Sequence, residues 1–493
     1  LLNLTSHDWL DVVTRRRLIG VLLIALLMWL IPSAAAASSA ASSASLRIGF
    51  FDGVFDGSDS ALWLQRAASA DANVVIVNIG WVAPNDATKP AGFNALDPGS
   101  PDYDFTSADA AVKAATADGL RVILQFTGAP QWAEGPDIPA DAAPGTWEPN
   151  DSDIKQYAVA LGKRYSGRYP DPADPGHKLP KVWGFQLWNE PNMPDFLAPQ
   201  WVNGRAVSPI IYRGMLNAFY KGIKAFDPGA LVVTAGTGPF GDPPPYGPRV
   251  MPAMFWRGVL CVDEVGAAAA GGAGTGLRAY HCKDPAHFDV LAHHPYSVGA
   301  PDTAALNADD VSIPDMGKLN AILRVAEAAG TALPHIHHQL WATETGYNTD
   351  PPNPKGVPID EAARWMDQTL ELLSGEGVSL VTFDTIVDQP PDPSYFTTSQ
   401  SGVYFVDGET KPTLTAFELP FVVSRARGVV SFWGRAPIDG IVRIEVRRGD
   451  KWLTVSSLNV KSTYTFRLHL VDSGHMTVRA RLGALTSIAW ILR

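Results

Sequence analysis

Residues 182–192 read "VWGFQLWNEPN". The stretch is apolar through Trp188, turns polar at Asn189-Glu190 and breaks at Pro191. It predicts a buried strand that ends on a carboxylate. Desolvating a carboxylate beside an indole is costly, so a charge at such a place needs a reason beyond packing. A catalytic role is one such reason. A lone carboxylate is not a mechanism, however, so the rest of the chain must supply a second group and a scaffold that joins the two.

Seven further runs have the same texture. They are "LRIGFFDG" (46–53), "NVVIVNIGW" (73–81), "LRVILQFTG" (120–128), "ALVVTAGTG" (230–238), "FDVLAHHPY" (288–296), "QLWATETGY" (339–347) and "VSLVTFDTIVD" (378–388). Each is continuously apolar and β-branched rather than alternating, which suits parallel strands covered on both faces. Helical stretches separate them, such as "DIKQYAVALGKRYSGRY" and "IDEAARWMDQTLELLSGEG", and several close on Gly. Eight strands alternating with helices over residues 46–417 predict a (β/α)8 TIM barrel. A doubly wound open sheet is the rival, but it calls for a glycine-rich nucleotide turn after the first strand. "FFDGVFDGSD" does not supply one. From 418 to 493 short alternating runs with intervening turn residues predict a small all-β sandwich domain.

Active sites of such barrels lie at the C-terminal ends of the strands. The fourth run ends in Asn189-Glu190, the seventh near Glu344 and the sixth in His294-Pro295-Tyr296. Period-two geometry puts His294 and Tyr296 on one face. Trp81 ends the second run and Trp132 follows the third. Asp52, Asn78, Gln125 and Glu134 are further candidates at the mouth, suited to sugar hydroxyls. Two carboxylates on opposing walls of one mouth are what glycoside hydrolysis requires. One protonates the leaving oxygen. The other attacks the anomeric carbon at a separation of about 5 Å, or activates water across a wider gap.

The "WNEP" of 188–191, followed three strands later by the Glu of "ATETGY", resembles glycoside hydrolase clan A, whose members are retaining (β/α)8 glycosidases. The resemblance covers roughly residues 46–417. Its terminal "GVYFVDGETKPTLTAF" (402–417) is similar to bacterial relatives of families 5 and 39. It implies Glu190 as acid/base and Glu344 as nucleophile. It implies Asn189 as the ligand of the sugar 2-hydroxyl, and His294 and Tyr296 as the "H-x-Y" pair that lines the subsite and orients the nucleophile. Two departures stand out. No Arg ends an early strand, and the eighth run ends "TFDTIVD", with Phe383 or Asp384 where many relatives place a Trp.

The remaining features agree with an exported carbohydrate-active chain. Its 493 residues are 46% hydrophobic and only 18% charged, and 15 Trp offer flat rings on which pyranoses can stack. Arg15-Arg16-Arg17, the apolar 18–31 and the small residues of 32–45 predict a signal peptide over 1–36 and a small-residue linker over 37–45. An uncleaved N-terminal anchor is the alternative, and either way the remainder lies in the cell envelope or is secreted. The net charge of −11 argues against nucleic acid as a partner. Residues 418–493 carry 12 Lys and Arg against 5 Asp and Glu, so the acidic excess belongs to the barrel. Cys261 and Cys282 are the two cysteines of the chain. In an exported protein they are expected to form a disulfide around the flexible 266–276. "HIHH" (335–338) is expected to be a solvated loop. No zinc spacing, phosphate loop or Ser-His-Asp order stands out, so neither a metal nor a cofactor is implied. A monomer acting on a carbohydrate is expected, with a non-catalytic sugar-binding protein and a transglycosylase as the rival functions.

Overall fold

The computed structural model describes residues 44–492, apart from 82–86, 245–246, 265–275 and 473. The expected signal peptide and nearly all of the 37–45 linker lie outside the described residues. Among those described, no helix is long and apolar enough to cross a membrane.

The eight runs form a closed barrel: β1 Arg47–Phe51, β2 Val74–Asn78, β3 Arg121–Phe126, β4 Gly184–Leu187, β5 Leu231–Thr237, β6 Val290–His293, β7 Gln339–Ala342 and β8 Val378–Asp384. Each strand pairs in parallel with its sequence neighbours, and β8 closes on β1 with Phe51 opposite Asp384. One helix follows each strand: α1 Ser60–Ser69, α2 Thr106–Ala117, α3 Asp151–Arg164, α4 Ser208–Phe226, α5 Pro252–Leu260, α6 Met316–Ala329, α7 Ile359–Gly375 and α8 Pro412–Glu418. The unbroken apolar texture of the strands is explained by where alternate side chains go. In β2, Val74 and Ile76 fill the barrel interior with Ile123, Val233, Val290 and Leu380. Val75 and Val77 pack outward in the helix-covered layer. Both faces are dry, so neither can be polar.

The N-terminal end of the barrel is plugged. Trp183 stacks on Trp341 with ring centroids 5.0 Å apart, and the guanidinium groups of Arg47 and Arg121 lie 5.6 and 4.8 Å from the Trp183 ring centroid. Solvent therefore reaches the barrel from the other end, where the strands terminate. "HIHH" lies at the plugged end, and His335, Ile336 and His337 are exposed as the sequence predicts, but the last residue is not. His338 is fully buried beside Phe288. Its backbone N–H donates to Glu327 Oε1 at 2.6 Å, and its Nδ1 lies 3.0 Å from the same oxygen. Arg324 also pairs with Glu327, at 2.6 Å. Helix α6 thus holds the loop through one carboxylate that sequence alone does not connect to it.

After the barrel come two antiparallel sheets. One contains β9 Phe421–Ala426, β10 Val429–Arg435 and β13 Thr465–Val471. The other contains β11 Gly440–Arg448, β12 Lys451–Val460, β14 Met476–Leu482, β15 Leu485–Thr486 and β16 Trp490–Leu492. They enclose their own core, built on Phe421, Phe432, Ile444, Phe466 and Val478, as a sandwich should. The sandwich seats against the N-terminal end of the barrel. Arg435 is fully buried, donating from Nε to Leu46 O at 3.1 Å and from Nη2 to Asn73 Oδ1. Leu46 N donates to Thr463 O at 2.7 Å, and Phe421 N donates to the carboxylate of Asp367 on α7. Val422 and Trp433 belong to the barrel's own apolar cluster.

Cys261 and Cys282 are joined, with Cα atoms 5.9 Å apart. Cys261 caps α5 in the left-handed conformation. The bridge thus ties the end of α5 to the segment leading into β6, across the two-stranded ribbon Val262–Glu264/Leu277–Ala279.

Candidate active site

The chain leaves β4 by a sharp turn. Trp188 and Glu190 both have positive φ, 73° and 34°, a conformation that costs non-glycine residues free energy and persists only where the surroundings impose it. Here they do. Trp188 N donates to Phe126 O at 2.6 Å, and the buried indole donates to Phe196 O at 2.7 Å. Glu190 N donates to Gly236 O at 3.0 Å, beyond the end of β4's own ladder. Asn192 completes the clamp, since its side chain accepts from Gly238 N and donates to Gly238 O and Val250 O. The apolar Trp188 is therefore turned into the wall and the carboxylate of Glu190 into the mouth.

Three strand ends converge there. His294 Nδ1 lies 3.2 Å from Glu190 Oε1 and 3.5 Å from Glu344 Oε2. Tyr296 donates its hydroxyl to Glu344 Oε1 at 2.7 Å and lies 3.4 Å from Asp384 Oδ2. One oxygen of Glu190, one of Glu344 and one ring nitrogen of His294 all lie within 4.8 Å of one another. That gap is close to the roughly 5 Å of a direct attack and short of the ~6.5–9.5 Å that leaves room for an attacking water.

The electrostatics follow from crowding. Burial drives the Glu344 carboxyl up from its ordinary range. The positive charge of His294 opposes this, the Glu190 charge adds to the rise, and the Tyr296 hydrogen bond pulls it back. His294 is fully buried, which disfavours its charged form. The carboxylates of Glu344, Glu190 and Asp384 outweigh burial and hold its pKa above the usual histidine value. The preceding His293 is the contrast. It bridges Thr237 Oγ1 and Val311 O at 2.8 Å each, and burial lowers its pKa to about 3. Of two adjacent histidines, one is therefore a buried strut and the other stands between carboxylates that favour its charged form. Asp384, at the end of β8, is pushed well above the carboxylate range by burial and by the charges of Glu344 and Asp52.

The other expected residues divide. Asn189 stands beside Glu190, its Oδ1 buried with no hydrogen-bond partner in the protein. Asn78 and Gln125 are cross-strand neighbours at the ends of β2 and β3. Trp81 is engaged on several sides, stacked on Tyr157 at 5.3 Å and edge-on to Phe126 and Trp132. Lys89 lies 4.7 Å from the Trp132 ring centroid. Asp52 is not available to a sugar hydroxyl. It is buried, capping Val54 N at 3.0 Å and accepting from Ile386 N and Val387 N at 2.9 and 3.3 Å. It fastens the end of β1 to the loop after β8, and burial raises its pKa to about 6. Glu134 likewise accepts from Trp147 N at 2.9 Å.

Two glycines that sequence reasoning passed over make the cluster possible. A Cβ on Gly236 would fall within the imidazole of His294. A Cβ on Gly238 would lie 2.6 Å from Met193 Cε and 3.3 Å from Glu190 Cδ. The available signal was "GTG" (236–238) closing the fifth run. The donor atoms of Glu190, His294 and Glu344 could also hold a divalent cation.

The architecture is shared with solved structures. One is a family 39 glycoside hydrolase from the gut symbiont Bacteroides cellulosilyticus WH2, 16% identical over 87% of this chain and 81% of its own, with a TM-score of 0.52. Another is a glucosidase from Croceicoccus marinus, 12% identical over 87% of this chain and 97% of its own, with a TM-score of 0.50. At these identities the likeness is one of fold. No family model and no curated protein matches the chain.

Proposed function

We propose that the chain is an exported retaining glycoside hydrolase that cleaves a β-linked polysaccharide or glycoside by double displacement. The observation that carries the reading is the approach of Glu190 and Glu344 to within 4.8 Å at the ends of β4 and β7. The family 39 hydrolase and the glucosidase that share the fold support it. The Cys261–Cys282 bridge supports export, since such bonds persist in oxidising compartments.

Glu344 attacks the anomeric carbon while Glu190 delivers its proton to the departing oxygen. The C–O bond breaks, an ester to Glu344 forms, and the leaving group departs neutral. Glu190, now a carboxylate, takes a proton from water as that water attacks the ester, and the second inversion restores the original configuration. His294 touches both carboxylates and steadies whichever is ionised at each stage. Tyr296 orients Glu344 through its hydroxyl. Asn189, with an unpartnered acceptor beside the acid, meets a hydroxyl of the bound ring. Turnover of a panel of nitrophenyl β-glycosides, with the first-formed anomer followed by NMR, tests the reading. Release of the β-anomer is expected, and initial release of the α-anomer would refute double displacement.

A further inference from the structure

The larger sheet of the sandwich has one face in the domain core and one in solvent. Val442, Ile444 and Val446 of β11 and Val478, Ala480 and Leu482 of β14 point inward, so strand alternation turns the residues between them outward. Those are Arg443, Glu445 and Arg447 on β11, and Arg479 and Arg481 on β14. The outer face of the other sheet is taken by the barrel, through Val422 and Trp433 and through Arg467, 3.6 Å from Glu371 on α7. The arginine face is therefore turned away from the barrel. Its carboxylate is neutralised in place. Glu445 is 5% exposed, with Arg479 Nε 2.9 Å and Arg481 Nη1 4.0 Å from its oxygens. The Arg479 guanidinium also lies 4.2 Å from the ring centroid of Trp452 on β12. Arg443 and Arg447 are exposed, and among the described residues neither pairs with a carboxylate; Arg447 donates to Gly449 O at 3.1 Å. Arg443 stands directly opposite Arg481, a like-charge pair that destabilises a folded sheet. Protection of the open edge strand does not account for it, because that requires charge on β12 itself, and these arginines stand on the strands inside it.

We propose that this face docks the protein on an anionic lipid surface. Charge sets the sign of the partner. The sandwich carries 12 Lys and Arg against 5 Asp and Glu. Half of those basic residues lie on this face or, as Arg448 and Lys451, at the β11–β12 turn, against Glu445 and Asp450. The barrel holds the acidic excess, so the same surface repels it and the sandwich settles first. Apolar groups on the face select lipid over a soluble polyanion. Ile441 and Ile491 point the same way as the arginines and are exposed. Trp452, half-buried beside them, is an amphipathic ring suited to the depth of the headgroups. Arginine stems can lie along these apolar groups while their guanidinium groups reach lipid phosphates. The apolar 18–31 also joins the fold at this domain. Leu46 N donates to Thr463 O and Thr465 N to Ala44 O at 3.0 Å, so an N-terminus held in a bilayer through 18–31 keeps the sandwich within about 45 Å of it. The inference does not depend on the roles of Glu190 and Glu344.

The test is co-sedimentation of the chain from Ala37, the expected mature form, with vesicles of phosphatidylcholine alone or with about a quarter phosphatidylglycerol. Binding to the anionic vesicles alone is expected, and it should be lost at about 0.5 M NaCl. Each basic group near such a surface strengthens partition about fivefold, so Arg443→Ala/Arg447→Ala should weaken it by about thirtyfold. Neither residue holds an ion pair, so the melting temperature should be unchanged. Lys178→Ala/Lys221→Ala removes two exposed charges from the barrel and should bind as the wild type does. No binding by the wild type, equal binding to both vesicles, or equal loss in the two double variants would overturn the proposal. Retention of the wild type by soluble polygalacturonate or dextran sulfate, without binding to the anionic vesicles, would also overturn it and assign the face to a polyanion.

Discussion

The Tyr296 hydroxyl stands 2.7 Å from Glu344 Oε1, joining the ends of β6 and β7. A hydrogen bond donated to a carboxylate favours its ionised form. Tyr296→Phe keeps the ring and removes the donor, so the Glu344 pKa, already above the ordinary range, rises further. The acid limb of kcat/KM should then move to higher pH, with the plateau lowered by about 10². An unmoved limb would mean that Tyr296 does not orient Glu344.

That hydroxyl has one proton, and the shorter contact assigns it to Glu344. Asp384 Oδ2, 3.4 Å away, is then favoured only if Asp384 carries a proton of its own. Burial and the neighbouring charges of Glu344 and Asp52 push it the same way. An amide imitates a neutral acid, so Asp384→Asn should retain kcat/KM within about tenfold at pH 6. The sign for stability follows. A carboxyl whose pKa is raised by folding stabilises most below its unfolded pKa and loses that contribution as pH rises through the folded one. Asp384→Asn should therefore gain thermal stability relative to the wild type on going from pH 5 to pH 8. A collapse of activity in this variant would show that Asp384 works as an anion.

Gly236 offers the most local test of how the site is packed. The methyl group of Gly236→Ala would occupy the space of the His294 imidazole. Since β5 is held in the ladder on both sides, the ring must yield rather than the strand. Activity should fall by 10² or more, on the order of losing a preorganised polar group. The far-UV circular dichroism of the barrel should be retained. Wild-type activity would mean that His294 can move without consequence.

How much of this was legible beforehand depended on range along the chain. Barrel strands announce themselves locally, because a strand dry on both faces must be apolar throughout, and β2 with its "VVIV" is a direct case. Glu190 and Glu344 were legible because each ends such a run. The roles of Gly236 and Asn192 were not, because they exist only once β5 lies beside β4. Asp52 misled for the same reason. A carboxylate at the end of β1 resembles a ligand for sugar until the loop after β8 brings two backbone N–H groups to it. The sandwich was legible as a texture, but its attachment was not. Nothing local in "FWGRAP" says that Arg435 will be buried against Leu46 and Asn73.

That attachment bears on truncation. The sandwich holds the barrel at the start of β1 and along α7, and among the described residues it forms no hydrogen bond or ion pair with Glu190, Glu344, His294 or Tyr296. Yet ending the chain near Glu418 would expose Phe417 and the start of β1, and would leave Asp367 without the Phe421 N–H. The shortened protein should melt several degrees lower, while its aryl-glycoside turnover below the transition stays within tenfold. Arg435→Met isolates the polar part of the junction. Removing the hydrogen bonds to Leu46 O and to Asn73 Oδ1, the latter still bonded by Ile48 N, should cost about 1–3 kcal/mol. A truncated protein as stable as the full chain would mean that the sandwich rests on the barrel without supporting it.

The division of labour between the two glutamates can be read with azide. In Glu344→Ala, removal of the side chain leaves space for azide to attack an activated glycoside directly. One displacement gives the glycosyl azide of inverted configuration. In Glu190→Ala, the ester to Glu344 still forms when the leaving group needs no proton. Azide then attacks that ester, and two displacements give the retained product. On unactivated substrates each variant should lose several powers of ten, because neither carboxylate can perform the other's step. His294 sharpens the comparison. It touches both carboxylates, so in either variant it is left beside the survivor and takes up some of the lost partner's role in balancing charge. The azide products, unlike the rates, are insensitive to that compensation, because configuration records only which group bonded to the anomeric carbon. Products of the opposite configurations would exchange the roles of Glu190 and Glu344 without disturbing the geometry that brings them together.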